Sequence, residues 1–73
     1  MELKEACNEY LKLFKQIINS ANNHIAVGQT SDKDGNKCIA VRLTNENNKY
    51  LLPDKFENYH VDIKIIGEIK AGF

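Results

Sequence analysis

Residues 2–22 separate apolar from polar side chains completely. On a helical wheel at about 100° per residue, the apolar side chains occupy one arc of roughly 160°, and every polar side chain lies outside it. The apolar residues are Leu3, Ala6, Cys7, Tyr10, Leu11, Leu13, Phe14, Ile17, Ile18 and Ala21. We therefore predict a helix over residues 2–22, ended by Asn22 and Asn23, because asparagine tolerates the left-handed conformation that closes a helix. Such a helix needs an apolar surface to cover.

Three later segments have the alternating pattern of strands that face such a helix. Residues 24–30, 37–44 and 61–65 are rich in β-branched residues and place apolar side chains at every second position. The residues expected to face the helix are Ile25, Val27, Ile39, Val41, Leu43, Val61, Ile63 and Ile65. The predicted fold class is α+β, a two-layer sandwich in which one N-terminal helix packs on one face of a three-stranded, mainly antiparallel sheet. Residues 1–73 are expected to form a single domain.

The order of the three strands is open at the level of sequence. Order 1-2-3 is favoured because the second strand is the most apolar and suits the centre of a sheet. Order 2-1-3 is the alternative, since residues 45–59 are long enough for a crossover connection. Within that connection, Tyr50, Leu51, Leu52 and Phe56 cluster around Pro53 and predict a 3₁₀ turn that plugs one end of the core. Residues 68–73 alternate again and predict a continuation of the sheet, a fourth strand or a segment that docks on a partner.

The first two strands are predicted to form a hairpin whose register follows from its loop. A three-residue loop at residues 33–35 pairs Val27 with Val41 and Ile25 with Leu43, which sets apolar side chains opposite each other. It also supplies a type I turn that opens at Asp32 and has Gly35 in the left-handed position. A two-residue loop would set apolar side chains against polar ones. The three-residue loop is therefore predicted.

The composition disfavours several classes of partner. Lysine and arginine number 10, as do aspartate and glutamate, so the formal net charge is zero. The cations form no run, which disfavours nucleic acid and anionic membranes as partners. No apolar run reaches the roughly 18–20 residues of a membrane span, and no signal-peptide pattern is present, so a cytoplasmic location is expected.

Asparagine is frequent, a bias that we attribute to an AT-rich genome and not to mechanism.

Two cysteines are predicted to lie on opposite sides of the sheet. Cys7 belongs to the apolar helix face and Cys38 to the half-exposed outer face, so both are expected to be reduced thiols. His24 would lie on the order of 20 Å from Cys38, and His60 would approach it only in a crossover topology. We therefore predict no catalytic residue. Neither cysteine has a second Cys or His within four positions, so no metal site and no cofactor are expected.

The sheet face that points away from the helix is the predicted binding surface. It combines small residues at its centre with charged residues and histidines at its rim. The predicted binding residues are His24, Ala26, Gly28, Ala40, Arg42, Asp62 and Lys64, with Cys38, His60 and Ile66 on the same side. A flat patch of this kind suits another protein or a second copy of the chain. An exposed sheet edge adds a route to strand pairing.

The leading functional hypothesis is a small non-catalytic binding protein that acts as a regulator or inhibitor through protein–protein contact, with a homodimer included. A module of this size is also compatible with an origin in a phage or mobile element. The alternative is an oligomeric module for a small ligand or nucleotide, in which Arg42, Lys64 and histidines of two chains surround an anion. A third hypothesis, a catalytic cysteine protein, requires a reactive Cys38.

Short segments after the helix also carry a family resemblance. They are Ala26-Val27-Gly28, Cys38-Ile39-Ala40-Val41, Leu52-Pro53, Val61-Asp62-Ile63 and Gly67-Glu68-Ile69-Lys70-Ala71. In these residues the chain resembles the small N-terminal domain found ahead of some trypsin-type bacterial and plant serine peptidases of the Nal1-like group. In those proteins the catalytic domain follows the closing segment, whereas this sequence ends at Phe73. The resemblance implies a shared scaffold used as a free-standing module, and no peptidase activity.

Overall fold

The computed structural model describes residues 1–67, which form one helix packed on a four-stranded sheet. The elements are α1 (Leu3–Ser20), β1 (Ile25–Ser31), β2 (Lys37–Leu43), a 3₁₀ turn (Lys49–Leu51), β3 (Lys55–Phe56) and β4 (Tyr59–Ile65). The α+β fold class with its N-terminal helix is confirmed. The predictions for residues 68–73 lie outside the described residues.

The sheet is mixed, with the strand order β1-β2-β4-β3. β1 pairs with β2 and β3 pairs with β4 antiparallel, whereas β2 and β4 are parallel. The predicted central position of the second strand is confirmed, and the alternative order 2-1-3 is wrong. The third predicted strand arrives beside the second one by a crossover over residues 44–58, which is why the two run in the same direction. The fourth strand of the described sheet is the two-residue β3, which the sequence pattern did not predict.

The hairpin between β1 and β2 has the predicted register. Val27 lies opposite Val41 and Ile25 lies opposite Leu43. The main-chain N–H of Gly35 donates to the carbonyl oxygen of Asp32 at 3.0 Å, and Gly35 has a φ of 85°. This left-handed conformation explains the glycine, because residues with a Cβ are disfavoured there. The three-residue loop is confirmed.

The core lies between α1 and the helix-facing side of the sheet, where Ile39, Val41 and Leu43 are fully buried. Two residues predicted to face the core are exposed. Leu13 is 55% exposed because it lies at the edge of the apolar arc of α1, and Ile65 is 37% exposed. α1 packs mainly over β1 and β2 and leaves the end of β4 less covered. The apolar face of α1 is therefore wider than the part of the helix that contacts the sheet.

The crossover connection is attached to the helix by a buried tyrosine. The hydroxyl of Tyr10 donates to the carbonyl oxygen of Pro53 at 2.9 Å, and its ring packs edge-on against Phe56. Burial, and second the nearby carboxylate of Asp54, raise the pKa of Tyr10 well above its ordinary range, so the hydroxyl remains a donor. Leu52 is buried beneath this segment. The predicted 3₁₀ turn is thereby confirmed, and Leu52 and Phe56 act as the predicted plug.

Two residues of the predicted plug do not contribute to the core. Tyr50 and Leu51 lie within the 3₁₀ turn and are exposed, Tyr50 at 82%. A 3₁₀ turn repeats about every three residues, so only part of the apolar run over residues 50–52 can face the core. The core receives Leu52 and Phe56 from this segment.

Asn23, only 1% exposed, joins the end of α1 to the neighbouring strands. Its Nδ2 donates to the carbonyl oxygens of Asn45 at 2.9 Å and of Asn47 at 3.0 Å. Its Oδ1 accepts hydrogen bonds from the main-chain N–H groups of His24, Thr44 and Asn45 at 2.9–3.1 Å. The hydroxyl of Thr44 donates to the same oxygen at 2.8 Å. One buried amide therefore holds the start of β1 against the exit from β2.

Further asparagines close the C-terminal end of the helix. Asn22 has a φ of 58°, which is the left-handed conformation predicted for a helix-ending residue. Asn47 and Asn48 donate through their Nδ2 atoms to the carbonyl oxygens of Ala21 and Ile17, both at 3.0 Å. These bonds satisfy carbonyl groups that a helix end leaves without partners. The asparagines thus have structural roles that the compositional interpretation did not anticipate.

We expect Asn23→Ala to lower the free energy of unfolding by about 2–4 kcal/mol, because several buried polar groups lose their partner at once. Asn8→Ala is the matched control, since Asn8 is exposed on α1, and it should change stability by less than about 0.5 kcal/mol. Urea denaturation followed by circular dichroism measures both. Equal midpoints for the two variants would contradict the role of Asn23.

We expect Val41→Asp to unfold the domain, because it places a carboxylate at a fully buried position in the middle of the sheet. Burying a charge without a partner costs several kcal/mol, which is a large part of the stability of a small domain. Loss of the cooperative thermal transition and of amide dispersion in an ¹⁵N NMR spectrum is the expected result. A variant with a wild-type transition would show that position 41 is not in the core.

Candidate functional site

The two strand pairings arrange the predicted binding residues in rows on the outer face. Ala40 lies between Gly28 on β1 and Asp62 on β4, because both are its partners in the sheet. In the next row, Arg42 lies between Ala26 and Lys64. Alternate residues of β2 are buried under the helix, so these rows face away from it. The structure therefore brings these six predicted residues together, and we refer to them as the outer face.

His24 stands at the end of the outer face, just before β1. Its carbonyl oxygen accepts a hydrogen bond from the main-chain N–H of Thr44 at 3.3 Å, so the ladder between β1 and β2 extends to this residue. Its side chain is exposed. The same alternation that directs Ala26 to the outer face places the His24 side chain on that side.

The centre of the outer face is flat. Ala26 and Gly28 are exposed and Ala40 is half-buried. A Cβ atom built on Gly28 would meet no atom within 4 Å, so the space above the strand is open. The three smallest side chains of this face are therefore adjacent and accessible.

A small charge network lies beside this flat centre. Oδ2 of Asp62 forms ion pairs with Arg42 Nη2 at 3.7 Å and with Lys64 Nζ at 3.9 Å. Nη1 of Arg42 also donates to the carbonyl oxygens of Val41 at 3.0 Å and of Asp62 at 3.1 Å. Solvent-exposed ion pairs contribute little to stability, but the three contacts that Arg42 makes hold its guanidinium group along the sheet. Arg42 is thereby held in one orientation.

Cys38 is buried, which corrects the prediction of a half-exposed thiol. It is 2% exposed although it lies on the outer side of β2. A shallow depression of about 330 Å³ surrounds it, lined by Thr30, Ser31, Asp32, Lys33, Cys38, His60 and Asp62. Residues of β1, of the β1–β2 turn and of β4 surround the thiol. Alternation alone assigns a residue to a face and does not show what covers that face.

The crossover also places His60 beside Cys38, as its partner in the parallel pairing of β2 and β4. The Cys38 thiol donates to the carbonyl oxygen of Asn36 at 3.4 Å. A nucleophilic cysteine needs an imidazole as its hydrogen-bond partner, so the observed bond is not that of an activated thiol. The sequence analysis allowed this juxtaposition only for a crossover topology, and the connection before β4 is such a crossover.

Asp32 completes the depression and shapes the hairpin turn. Its carboxylate accepts hydrogen bonds from the main-chain N–H groups of Asp34 and Asn36, both at 2.9 Å. The bond from Asn36 is the largest cause that lowers the pKa of Asp32, and the nearby His60 contributes as well. Asp32 is therefore a stable negative charge at the hairpin end of the sheet.

Cys7 lies on the opposite side of the sheet from Cys38, as predicted, and both thiols are free. The Cys7 thiol donates to the carbonyl oxygen of Gly28 at 3.2 Å. Burial raises the pKa of the Cys7 thiol, which opposes thiolate formation. Cys7 thus acts as a core residue that ties α1 to β1.

Within residues 1–67, no three His, Cys, Asp or Glu side chains are grouped so that they could hold a metal ion. The only helix in this part of the chain is not apolar enough to cross a membrane.

Comparisons with protein-family models, with curated proteins and with solved structures found no match to this chain. The similarity of residues 25–71 to a peptidase-associated domain therefore stays a sequence-based hypothesis.

We expect Cys38 to react slowly with iodoacetamide at neutral pH, because a buried thiol is shielded from the reagent. Peptide mapping by mass spectrometry distinguishes alkylation of Cys38 from alkylation of Cys7. The same protein in denaturant gives the alkylation rate of the unshielded thiol. Modification of native Cys38 faster than in denaturant would instead support the catalytic cysteine hypothesis.

Proposed function

We propose that this chain is a small non-catalytic binding protein that regulates or inhibits a protein partner through its outer face. The observation that carries the proposal is the flat centre formed by Ala26, Gly28 and Ala40. Beside it lies Arg42, whose guanidinium group is held in one orientation by hydrogen bonds. Small side chains lose almost no rotamer entropy on binding. A surface of this kind can make close contact with a partner at little entropic cost.

The charges around the centre favour an acidic partner surface. Arg42 and Lys64 share one carboxylate, that of Asp62, so the network has an excess of one positive charge. His24 and His60 are exposed at its two ends and offer imidazole N–H donors to a carboxylate. The partner that fits this arrangement presents carboxylates around a small apolar contact, because complementary charges direct the approach of two proteins. The guanidinium group of Arg42 is already oriented and loses less entropy when it pairs.

We expect Ala40→Arg to remain folded and to abolish partner binding, because it adds a long side chain at the flat centre while the helix side of the sheet is unchanged. Lys64→Glu should also weaken binding, since Lys64 is exposed and its charge is reversed. The partner is first captured from the native host with the wild-type chain and then titrated with each purified variant by isothermal calorimetry.

Gln16→Arg is the matched control, because Gln16 is exposed on the solvent side of α1. It should bind as the wild type does. Unchanged affinity of Ala40→Arg for the captured partner would show that the outer face is not the interface.

A second candidate function, an oligomeric anion-binding module, has one observation in its favour. The parallel pairing sets Arg42 and Lys64 side by side on the outer face, where two cations could meet a phosphate. Both side chains contact Asp62, so an anion would have to compete with that carboxylate. A single chain offers little enclosure, and this function therefore requires assembly. Thermal shift across a nucleotide panel tests it, and a protein that stays monomeric would exclude it.

A further inference from the structure

The two edges of the sheet differ in how well they are protected against pairing with another strand. In the sheet formed by residues 1–67, β1 is an edge strand of seven residues, Ile-Ala-Val-Gly-Gln-Thr-Ser, without a charged residue or a proline. The opposite edge consists of the two-residue β3 and of β4, and these strands carry Lys55, Asp62 and Lys64. Charged residues and short strands are the usual means by which proteins block pairing at an edge. β1 has neither.

The hydrogen-bonding direction of β1 can be read from the two ends of its ladder with β2. The main-chain N–H of Thr44 donates to the carbonyl oxygen of His24, and that of Asp32 donates to the carbonyl oxygen of Asn36. In an antiparallel pair, alternate residues direct both main-chain groups to the partner strand. The even-numbered residues of β1 therefore bond to β2. Its odd-numbered residues direct their N–H and C=O groups away from the sheet, and they are Ile25, Val27, Gln29 and Ser31.

We propose that β1 pairs antiparallel with β1 of a second copy of this chain and forms a symmetric dimer with a continuous eight-stranded sheet. Pairing all four outward-facing residues places the two-fold axis at Gly28, the middle residue of the strand. Val27 then bonds to Gln29 of the other copy, and Ile25 lies opposite Ser31. The protected edges remain at the two ends, so the assembly closes at two copies. This inference does not depend on the proposed function of the outer face.

Two features of β1 fit this register. Gly28 has no positive φ, and a Cβ would meet no atom within 4 Å, so the single chain does not require glycine there. At the two-fold axis Gly28 faces itself in a non-hydrogen-bonded pair, where the backbones approach to about 4.5 Å. Ile25 and Val27 are only half-buried on the helix side, and a second copy would cover them.

The residues that flank β1 are also complementary in this register. His24 of one copy lies opposite Asp32 of the other, and the symmetry produces this pair twice. Asp32 is a carboxylate with a lowered pKa, and His24 is exposed. A neutral strand with a base at one end and an acid at the other is self-complementary only when it runs antiparallel to itself.

Cysteine cross-linking tests the register. Gly28→Cys should form a disulfide with its own copy under mild oxidation, because the Cα atoms would be about 4.5 Å apart, within the range of a disulfide. Ala26→Cys is the matched control on the same face. Position 26 lies opposite Thr30 of the other copy, so the Cα atoms of the two symmetry-related positions 26 are roughly 13 Å apart and should not link. Non-reducing electrophoresis reports both results. Equal linking of the two variants, or none for Gly28→Cys, overturns the proposed register.

A substitution at the edge tests the dimer itself. Gln29→Pro removes an outward N–H without removing a bond to β2, and Gln29→Ala keeps that N–H. We expect Gln29→Pro to raise the dimer dissociation constant about tenfold or more, since two symmetry-related hydrogen bonds are lost, and Gln29→Ala to leave it unchanged. Sedimentation velocity over a concentration series measures both, and circular dichroism confirms that they fold. A wild-type chain that stays monomeric over the whole series overturns the proposal.

Discussion

The buried amide of Asn23 is the interaction on which the arrangement of this domain depends. Its two polar atoms bond to three separate parts of the chain: the start of β1, the residue that ends the β1–β2 ladder, and the loop that follows β2. In a low-dielectric interior such a network is favourable only if every group is satisfied. Within residues 1–67, no buried side-chain nitrogen or oxygen lacks a partner. The end of the helix and the end of the hairpin are therefore positioned by the same side chain.

The path of the crossover follows from this anchor. Asn47 and Asn48 bond to carbonyl groups near the end of α1, which directs the chain from β2 toward the helix instead of into a tight return. Tyr10 then holds the same segment at Pro53. The chain re-enters the sheet beside β2 and parallel to it. That direction sets each neighbour on the outer face, including the pairing of Ala40 with Asp62.

The resulting molecule presents two surfaces of different chemistry. The outer face is flat, with Arg42 held in one orientation and a small excess of positive charge, and these features are the basis of the acidic partner that we propose. The β1 edge is uncharged and exposes main-chain groups, and it suits another strand. Gly28 belongs to both surfaces, since it lies at the centre of the edge strand and at the centre of the flat patch. Pairing at the edge would join two outer faces into one surface, which is how a chain of this size can offer a larger contact area.

The sequence by itself determined the helix, the three long strands, the hairpin register and the side of the sheet to which most residues point. These features depend on periodicity and on residues close together in the chain, such as Asp32 and Gly35 in the turn. Only the tertiary structure decided that β2 and β4 are parallel, because alternation is the same in either direction and a long connection permits both. It also decided that Cys38 is buried beside His60. The role of Asn23 was equally hidden, since asparagine after a helix is an ordinary terminator until distant main-chain groups surround it.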